Sequence, residues 1–234
     1  MKKYIGTKQI EAEPMTMGEA YEKVLLQAGR VPTESEKGKA GYHVKYKDGY
    51  ESWSPAEPFE EAYKCADTPS DRILIEAGEL TDRLAKLKNF ILSDKFDELD
   101  SDSQAMLYAQ VGIMQGYQHI LNLRYPKMEG NNVRCESLYF GSAISLLCAG
   151  FAIRRTGWNS KGLFVIKQVP AHIESDIIPK MQSLPQSAKD LILKGKGFID
   201  YTSQCLIYNE NTGRADSWVP SISDVFAEDW EIVQ

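Results

Sequence analysis

The sequence has 234 residues, 43% of them apolar and 26% charged, with a formal net charge of −6. This is the composition of a soluble globular protein of one to three domains. It argues against a uniformly basic binder of polymeric nucleic acid, and no run reaches the 18 apolar residues of a membrane span. The acidic excess is even, −2 in each of residues 1–67, 68–135 and 136–234, so neither an acidic tail nor a basic arm is present. The opening Met-Lys-Lys-Tyr-Ile-Gly never develops the apolar stretch of a signal peptide. Cys65, Cys135, Cys148 and Cys205 lie far apart with no C-x-x-C, the usage of reduced thiols in a cytoplasm. A soluble, cytoplasmic, modular protein is expected.

Residues 1–67 read as a small α+β module. Residues 15–28 have the spacing of a short amphipathic helix ended by Gly29, and residues 30–41 read as a flexible loop. Tyr42-His-Val-Lys-Tyr46 alternates apolar and polar residues, Lys47-Asp48-Gly49 supplies a turn, and Tyr50-Glu-Ser-Trp53 returns; this predicts a β-hairpin. Pro58 to Tyr63 predicts a short helix with Phe59 and Tyr63 on one face.

Residues 68–127 predict a helical hairpin. Thr68-Pro-Ser-Asp71 combines a capping hydroxyl, a proline at the first helical position and a carboxylate three residues on. Ile73, Ala77, Leu80, Leu84, Leu87 and Ile91 then form a heptad seam. Ser101-Asp-Ser-Gln104 reads as a second capping box, opening a helix through Leu123. That helix carries two apolar stripes, Leu107, Val111, Met114 and Leu121, and Met106, Ile113, Tyr117 and Ile120. One partner helix buries one stripe, so the other requires another domain or another subunit. Gly112 and Gly116 leave room for a close helix approach.

Residues 136–234 predict a helix over a mostly antiparallel sheet, so the whole chain is α+β. Leu138 to Cys148 reads as a helix stopped by Gly150, and Gly162 to Val169 as a strand. Asp176 to Lys194 contains two helical pieces split by Pro185. Phe198–Tyr201, Gln204–Tyr208, Ser217–Val219 and Asp229–Val233 read as strands, with a hairpin loop from Asn209 to Gly213.

No phosphate-binding G-x-x-x-x-G-K-[ST], G-x-G-x-x-G or G-x-S-x-G occurs. His43, His119 and His172 fall one to a segment, which disfavours a metal site or a catalytic triad. The pairs Glu60-Glu61 and Glu228-Asp229 read as solvated surface. No enzyme, metal or cofactor is expected. Binding chemistry is better represented. Arg154-Arg155-Thr-Gly157-Trp158-Asn159-Ser-Lys161-Gly162 concentrates guanidiniums suited to phosphate, an indole suited to stacking, and glycines that let backbone N–H groups approach an anion. The residues alone favour a plainer reading, a core tryptophan flanked by a solvated turn. Asp216-Ser-Trp218-Val-Pro-Ser-Ile-Ser223-Asp224 carries the same two readings.

Tyr139-Phe140-Gly-Ser-Ala-Ile144, Arg155-Thr-Gly157-Trp158-Asn159-Ser-Lys161-Gly162, Trp218-Val-Pro-Ser-Ile-Ser223-Asp224 and Ala227-Glu-Asp-Trp-Glu-Ile232 occur in that order. Together they closely resemble the Thoeris anti-defense 2-like family over about residues 137–234. Ser160 stands where glycine is common there, and residues 173–197 carry a helical insert. The resemblance implies a phage protein that sequesters a cyclic ADP-ribose derivative without cleaving it, as an oligomer, typically a tetramer, with pockets at subunit contacts. On that basis Phe140 and Trp158 are expected as aromatic platforms, and Asn159 and Asp224 as partners for hydroxyls or base edges. Arg155 with the Gly157 and Gly162 backbone is expected to meet phosphate, and Trp218 and Ser223 to complete the wall.

The hairpin is similar to that of anti-CBASS and Thoeris anti-defense sponges, through Leu80-Thr-Asp-Arg-Leu84, Leu87-x-x-Phe90, Phe96-x-x-Leu99 and Gln110-x-x-x-Met114-x-x-Tyr117. It implies assembly and, as an open alternative, a cyclic dinucleotide or trinucleotide site. Residues 1–67 resemble a small module at the front of phage proteins and imply no particular activity. Three classes therefore compete: a sponge acting in the cytoplasm of an infected cell, an oligomeric scaffold without a nucleotide ligand, and an enzyme that degrades the messenger. The residues favour the sponge, because stacking and phosphate-clamping groups are present while a nucleophile–base pair is not.

Overall fold

The computed structural model describes residues 9–233; the opening Met-Lys-Lys-Tyr-Ile-Gly lies outside them. The chain gathers into two units that meet between Ile75 and Glu76, inside one continuous helix. Both mix helix and antiparallel strand, in keeping with the α+β expectation.

The first unit holds β1 (Glu11–Thr16), α1 (Met17–Glu22), α2 (Glu34–Lys37), β2 (Ala40–Lys45), β3 (Glu51–Pro55) and α3 (Ala56–Ala62). Its sheet runs β1-β2-β3, with Pro14 opposite Tyr42 and Tyr42 opposite Ser54. The hairpin forms where expected, turning through Gly49 at φ 83°. Two expectations need correction. The helix placed at 15–28 is short and follows an edge strand, where the missing N–H of Pro14 is tolerated. Thr16 and Glu19 fix the changeover as a capping box. Residues 30–41 are likewise ordered: Thr33 and Glu36 cap α2, and β2 already begins at Ala40. Tyr42 stacks on Phe59 at 4.1 Å. The Trp53 indole lies over Gly41, where any Cβ would collide, and donates to the Met15 carbonyl at 2.9 Å. A cleft of about 640 Å³ opens beside Glu11, Lys45, Tyr46 and Gly49; it contains none of the expected ligand-binding residues.

His43 sits between two carboxylates on this sheet, Nδ1 3.2 Å from Glu13 Oε1 and Nε2 2.9 Å from Glu51 Oε2. Hydrogen bonds to Glu13 and then Glu51 raise its pKa above the ordinary 6.5 against a smaller effect of burial. A raised folded pKa means the bridge stabilises fully below about pH 6.5 and is lost as pH rises through the folded value. His43→Gln should therefore lower thermal stability at pH 5.5 and have little effect at pH 8.5. A ring titration by NMR with its midpoint at or below 6.5 would refute the bridge.

The second unit begins with the remainder of α4 (Pro69–Ile91), which turns through α5 (Asp94–Asp97) into α6 (Ser101–Met128). Leu80, Leu84 and Leu121 are buried. The Tyr117 hydroxyl donates to Glu76, and Gln118 Nε2 donates to Thr81 Oγ1 at 2.7 Å. The cap of α6 is Asp100 rather than Ser101: its side chain accepts from Ser103 N at 2.9 Å and from the Ser103 hydroxyl. The connection is itself ordered, because Phe96 is buried edge-on to Phe90 and Tyr108. The second stripe divides. Ile120, with Leu123, packs against the C-terminal core, whereas Met106 and Ile113 remain 70% and 74% exposed. Nothing approaches within 4 Å of a Cβ placed at Gly112, and Gly116 meets only the Tyr139 ring at 4.0 Å.

Beyond the hairpin, α7 (Phe140–Cys148) packs on a five-stranded antiparallel sheet. Its strands are β4 (Ile153–Arg155), β5 (Leu163–Gln168), β8 (Gln204–Asn209), β9 (Arg214–Ser217) and β10 (Trp230–Ile232), in the order β10-β4-β5-β8-β9. The core is Leu138, Ala143, Leu147, Ile153, Val165, Ala227 and Trp230. Arg154 and Arg155, expected in a turn, lie in β4: Ile153 enters the core and the ladder to β10 fixes the register. A short helix α9 (Ile222–Val225), not expected, precedes β10. Between β5 and β8 the chain makes a ribbon extension, β6 (Ala171–Ile173) against β7 (Ile199–Tyr201), tipped by a 3₁₀ turn (Ile178–Lys180) and α8 (Gln186–Lys194).

Candidate functional site

The aromatic residues singled out by sequence converge on Trp230, which is fully buried. Phe140, Trp158 and Trp218 bring their ring centroids to 5.7, 5.6 and 6.1 Å from it, the two indoles edge-on. All three are half-buried against the core. The Trp230 indole N–H donates to the Asp224 carbonyl at 3.1 Å, tying α9 to the centre of the domain.

A polar network lies alongside. β10 opposes β4, so Trp230 pairs with Arg155 in the ladder. Arg155 Nε donates to Asp229 Oδ1 at 2.7 Å, and Nη1 donates to Asp224 Oδ1 at 3.0 Å and to the Ser223 carbonyl at 3.1 Å. Asp224 is 6% exposed. It also accepts from the Trp158 indole at 3.0 Å, and from the Ser221 N–H and hydroxyl at 2.9 and 2.8 Å. Four donors saturate that carboxylate. Gly157 N donates to Asp229 Oδ2 at 2.7 Å, and a Cβ on Gly157 would lie 2.6 Å from the same oxygen, so a larger residue would displace the carboxylate that Arg155 holds.

The electrostatics follow. Burial works to raise the Asp224 carboxyl, but the Ser221 N–H, the Trp158 indole, the Ser221 hydroxyl and Arg155 outweigh it, so its pKa lies below the ordinary carboxylate range. Asp229 is lowered in the same way: burial opposes, and Arg155 and the Gly157 N–H prevail. Arg155 is raised, chiefly by its hydrogen bond to Asp229. On the opposite face of the same strand pair, buried Glu231 accepts from Arg154 at 2.7 Å and lies 3.4 Å from Arg134.

The structure therefore brings Phe140, Arg155, Gly157, Trp158, Trp218, Ser223 and Asp224 into one neighbourhood, but much of their chemistry is spent on each other. The guanidinium expected to meet phosphate is committed to two carboxylates. Asp224, expected to hold hydroxyls, caps α9 and receives the Trp158 indole. Asn159 stands apart: its side chain is exposed and forms no hydrogen bond among the described residues. Gly162, at φ 85°, lies at the far end of the loop, against Glu210 and Asn211.

Asp229, Trp230, Ser221 and Asn211 organise the region and were not among the expected site residues. Asp229 corrects the reading of Glu228-Asp229 as solvated surface, since Arg155 and the Gly157 N–H draw it inward. The spacing Ser221-x-x-Asp224 is a helix-start signal that marks Asp224 as the third-position partner of a Ser221 cap. Nothing in the sequence marks Asn211, whose role depends on two loops meeting. Among the described residues no cluster of His, Cys, Asp and Glu is arranged to hold a metal, and no helix is long and apolar enough to cross a membrane.

A family model described as a Thoeris anti-defense 2-like domain matches residues 138–233, and a model described as Sequestin matches residues 67–126. Thoeris anti-defense 2 of Bacillus phage SP01 is 30% identical over 99 residues, covering 40% of this chain and 92% of that protein. The stretch that matches carries the Trp230 cluster, the Arg155 network and the loop from Thr156 to Gly162, and through it the chain belongs to the Thoeris anti-defense 2 family.

Proposed function

We propose that the protein is a phage-type immune-evasion sponge, binding a cyclic ADP-ribose-derived second messenger and releasing it unchanged. The relation to a phage protein named for countering Thoeris, over 92% of that protein's length, carries this reading. The chemistry of the site supports binding over catalysis. Asp224 and Asp229, the carboxylates that hold the start of the loop and its tryptophan, are locked to Arg155 with lowered pKa values, so neither is poised for proton transfer near neutral pH.

The domain reading that accompanies it has three parts: residues 1–67 with no assigned activity, a hairpin at 68–127, and the ligand-binding domain from 136. The hairpin serves chiefly in self-association, with a tetramer preferred, and its exposed Met106 and Ile113 are the surface available for it. A second reading for this segment, which the Sequestin model matches, is a site for a cyclic dinucleotide or trinucleotide.

The test is direct. Full-length protein is incubated with a cyclic ADP-ribose derivative, separated from free ligand and then denatured, and the released material is run on chromatography. Depletion followed by full recovery of intact ligand is expected, from a species whose mass by light scattering is a multiple of 26.4 kDa. Recovery of an altered nucleotide would identify an enzyme, and no depletion at all would identify a scaffold.

A further inference from the structure

The loop from Thr156 to Gly162 is pinned at both ends. At its start, Thr156 N donates to the Asp229 carbonyl at 3.1 Å and Gly157 N to the Asp229 carboxylate at 2.7 Å. At its end, the tip of the β8–β9 hairpin takes the last two carbonyls: Asn211 Nδ2 donates to Lys161 O at 2.6 Å, and Glu210 N donates to Gly162 O at 2.9 Å. A Cβ on Gly162 would lie 2.6 Å from both Asn211 Nδ2 and Glu210 Cγ, so the tip seats where only glycine leaves room. Between the pins stand Asn159, Ser160 and Lys161, all exposed. Their side chains form no hydrogen bond or ion pair among the described residues. An amide, a hydroxyl and an ammonium are thus held on a fixed backbone with their own valences open, which lowers the ordering cost of meeting a ligand.

Charge narrows the assignment. Five cations belong to this loop, its flanking strands β4 and β5, and the nearby β9. Arg154 is paired with Glu231, Arg155 with Asp229 and Asp224, and Arg214 with Asp216 at 2.7 Å. Lys161 and Lys167 have no carboxylate partner among the described residues, and of the two only Lys161 stands in the loop, Lys167 lying near the far end of β5. An anion approaching Arg155 meets two carboxylates for one guanidinium, a net repulsion, whereas Lys161 offers a point charge outside any ion pair among the described residues, the Glu210 carboxylate lying instead against Gly162.

Building on the sponge reading, we infer that Lys161, not Arg155, is the cation that meets the phosphate of a nucleotide ligand, and that Asn211 is the positioning residue that fixes its backbone. Calorimetry of cyclic ADP-ribose, inorganic pyrophosphate and adenosine against wild type, Lys161→Gln, Lys161→Arg and Asn211→Ala, at 50 and 200 mM salt, tests it. Lys161→Gln should weaken the phosphate-bearing ligands about tenfold, the scale of one charge-assisted hydrogen bond. It should also flatten their salt dependence, leave adenosine unchanged, and be rescued by Lys161→Arg. Asn211→Ala should weaken the same ligands while keeping the wild-type salt dependence. Wild-type affinity and salt slope in Lys161→Gln would overturn the assignment and leave the sponge reading standing. Pyrophosphate binding that depends on Lys161, without cyclic ADP-ribose binding, would uphold the assignment and overturn the messenger. Binding of neither by wild type would overturn both.

Discussion

Asp224→Ala is expected to destabilise the C-terminal domain by about 3–5 kcal/mol, the scale of breaking a buried ion pair together with a helix-start hydrogen-bond set. The loss is concentrated because one carboxylate serves three elements. It caps α9 through Ser221, receives the Trp158 indole from the loop, and receives Arg155 from β4. Removing it leaves the indole N–H and the Ser221 donors without their acceptor and Arg155 with Asp229 as its one remaining carboxylate. At roughly 2–4 °C per kcal/mol for a unit of this size, thermal unfolding by circular dichroism should fall by about 10 °C or more. The pH dependence has a definite sign. Asp224 and Asp229 have folded pKa values below the ordinary 3.8, so their contribution is fully present above about pH 4 and is lost as pH falls through the folded values. The gap between wild type and Asp224→Ala should therefore be widest near neutrality and narrow in acid. A gap that stays constant from pH 7 to pH 3 would mean that packing, not charge, gives Asp224 its importance.

Trp230→Ala should cost a similar amount, about 3–5 kcal/mol, through the cavity left when a fully buried indole is deleted. Three half-buried rings lean on this one residue, and its backbone bridges Leu138 in both directions, at 2.9 and 3.2 Å. The cavity would open beneath Phe140, Trp158 and Trp218 at once, so ligand binding should fail together with stability. Trp230→Phe, which keeps part of the volume but loses the N–H to the Asp224 carbonyl, should fall between. If Trp230→Ala melts within a few degrees of wild type, the three rings are held by something other than their common neighbour.

Much of this fold can be read along the chain where the signals are local. The Asp48-Gly49 turn, the Thr68-Pro69 helix start and the α6 stripes each depend on residues within a few positions of one another. Misreadings arose where a distant partner decides the outcome. Glu11–Thr16 becomes a strand only because β2 is there to pair with it, and Arg154-Arg155 becomes a strand only because β10 returns some 75 residues later. The candidate site divides the same way. Sequence singled out Arg155, Trp158 and Asp224 together, yet chemical type alone could not show that they would satisfy one another. A guanidinium among aromatics looks the same whether it awaits a phosphate or already grips two carboxylates. The open groups, Asn159 and Lys161, are distinguished only in space, where neither side chain has a hydrogen-bond or ion-pair partner among the described residues.

The ribbon between β5 and β8 keeps a single register through an interruption. Gln168 opposes Gln204 and Ala171 opposes Tyr201, with Val169-Pro170 and Thr202-Ser203 unpaired between them. Pro170 cannot donate to the ladder, so the break has a cause in its ring. The two chains leave the sheet side by side and come back side by side, and everything from Glu174 to Phe198 is closed off by that juxtaposition. Lengthening a loop whose ends are already held together adds entropy only as the logarithm of its length. The tip is therefore a natural port for cargo: an epitope, a fluorophore or a small folded domain inserted between Ser183 and Gln186 would ride on the ribbon while the Trp230 cluster and the pinned loop keep their geometry.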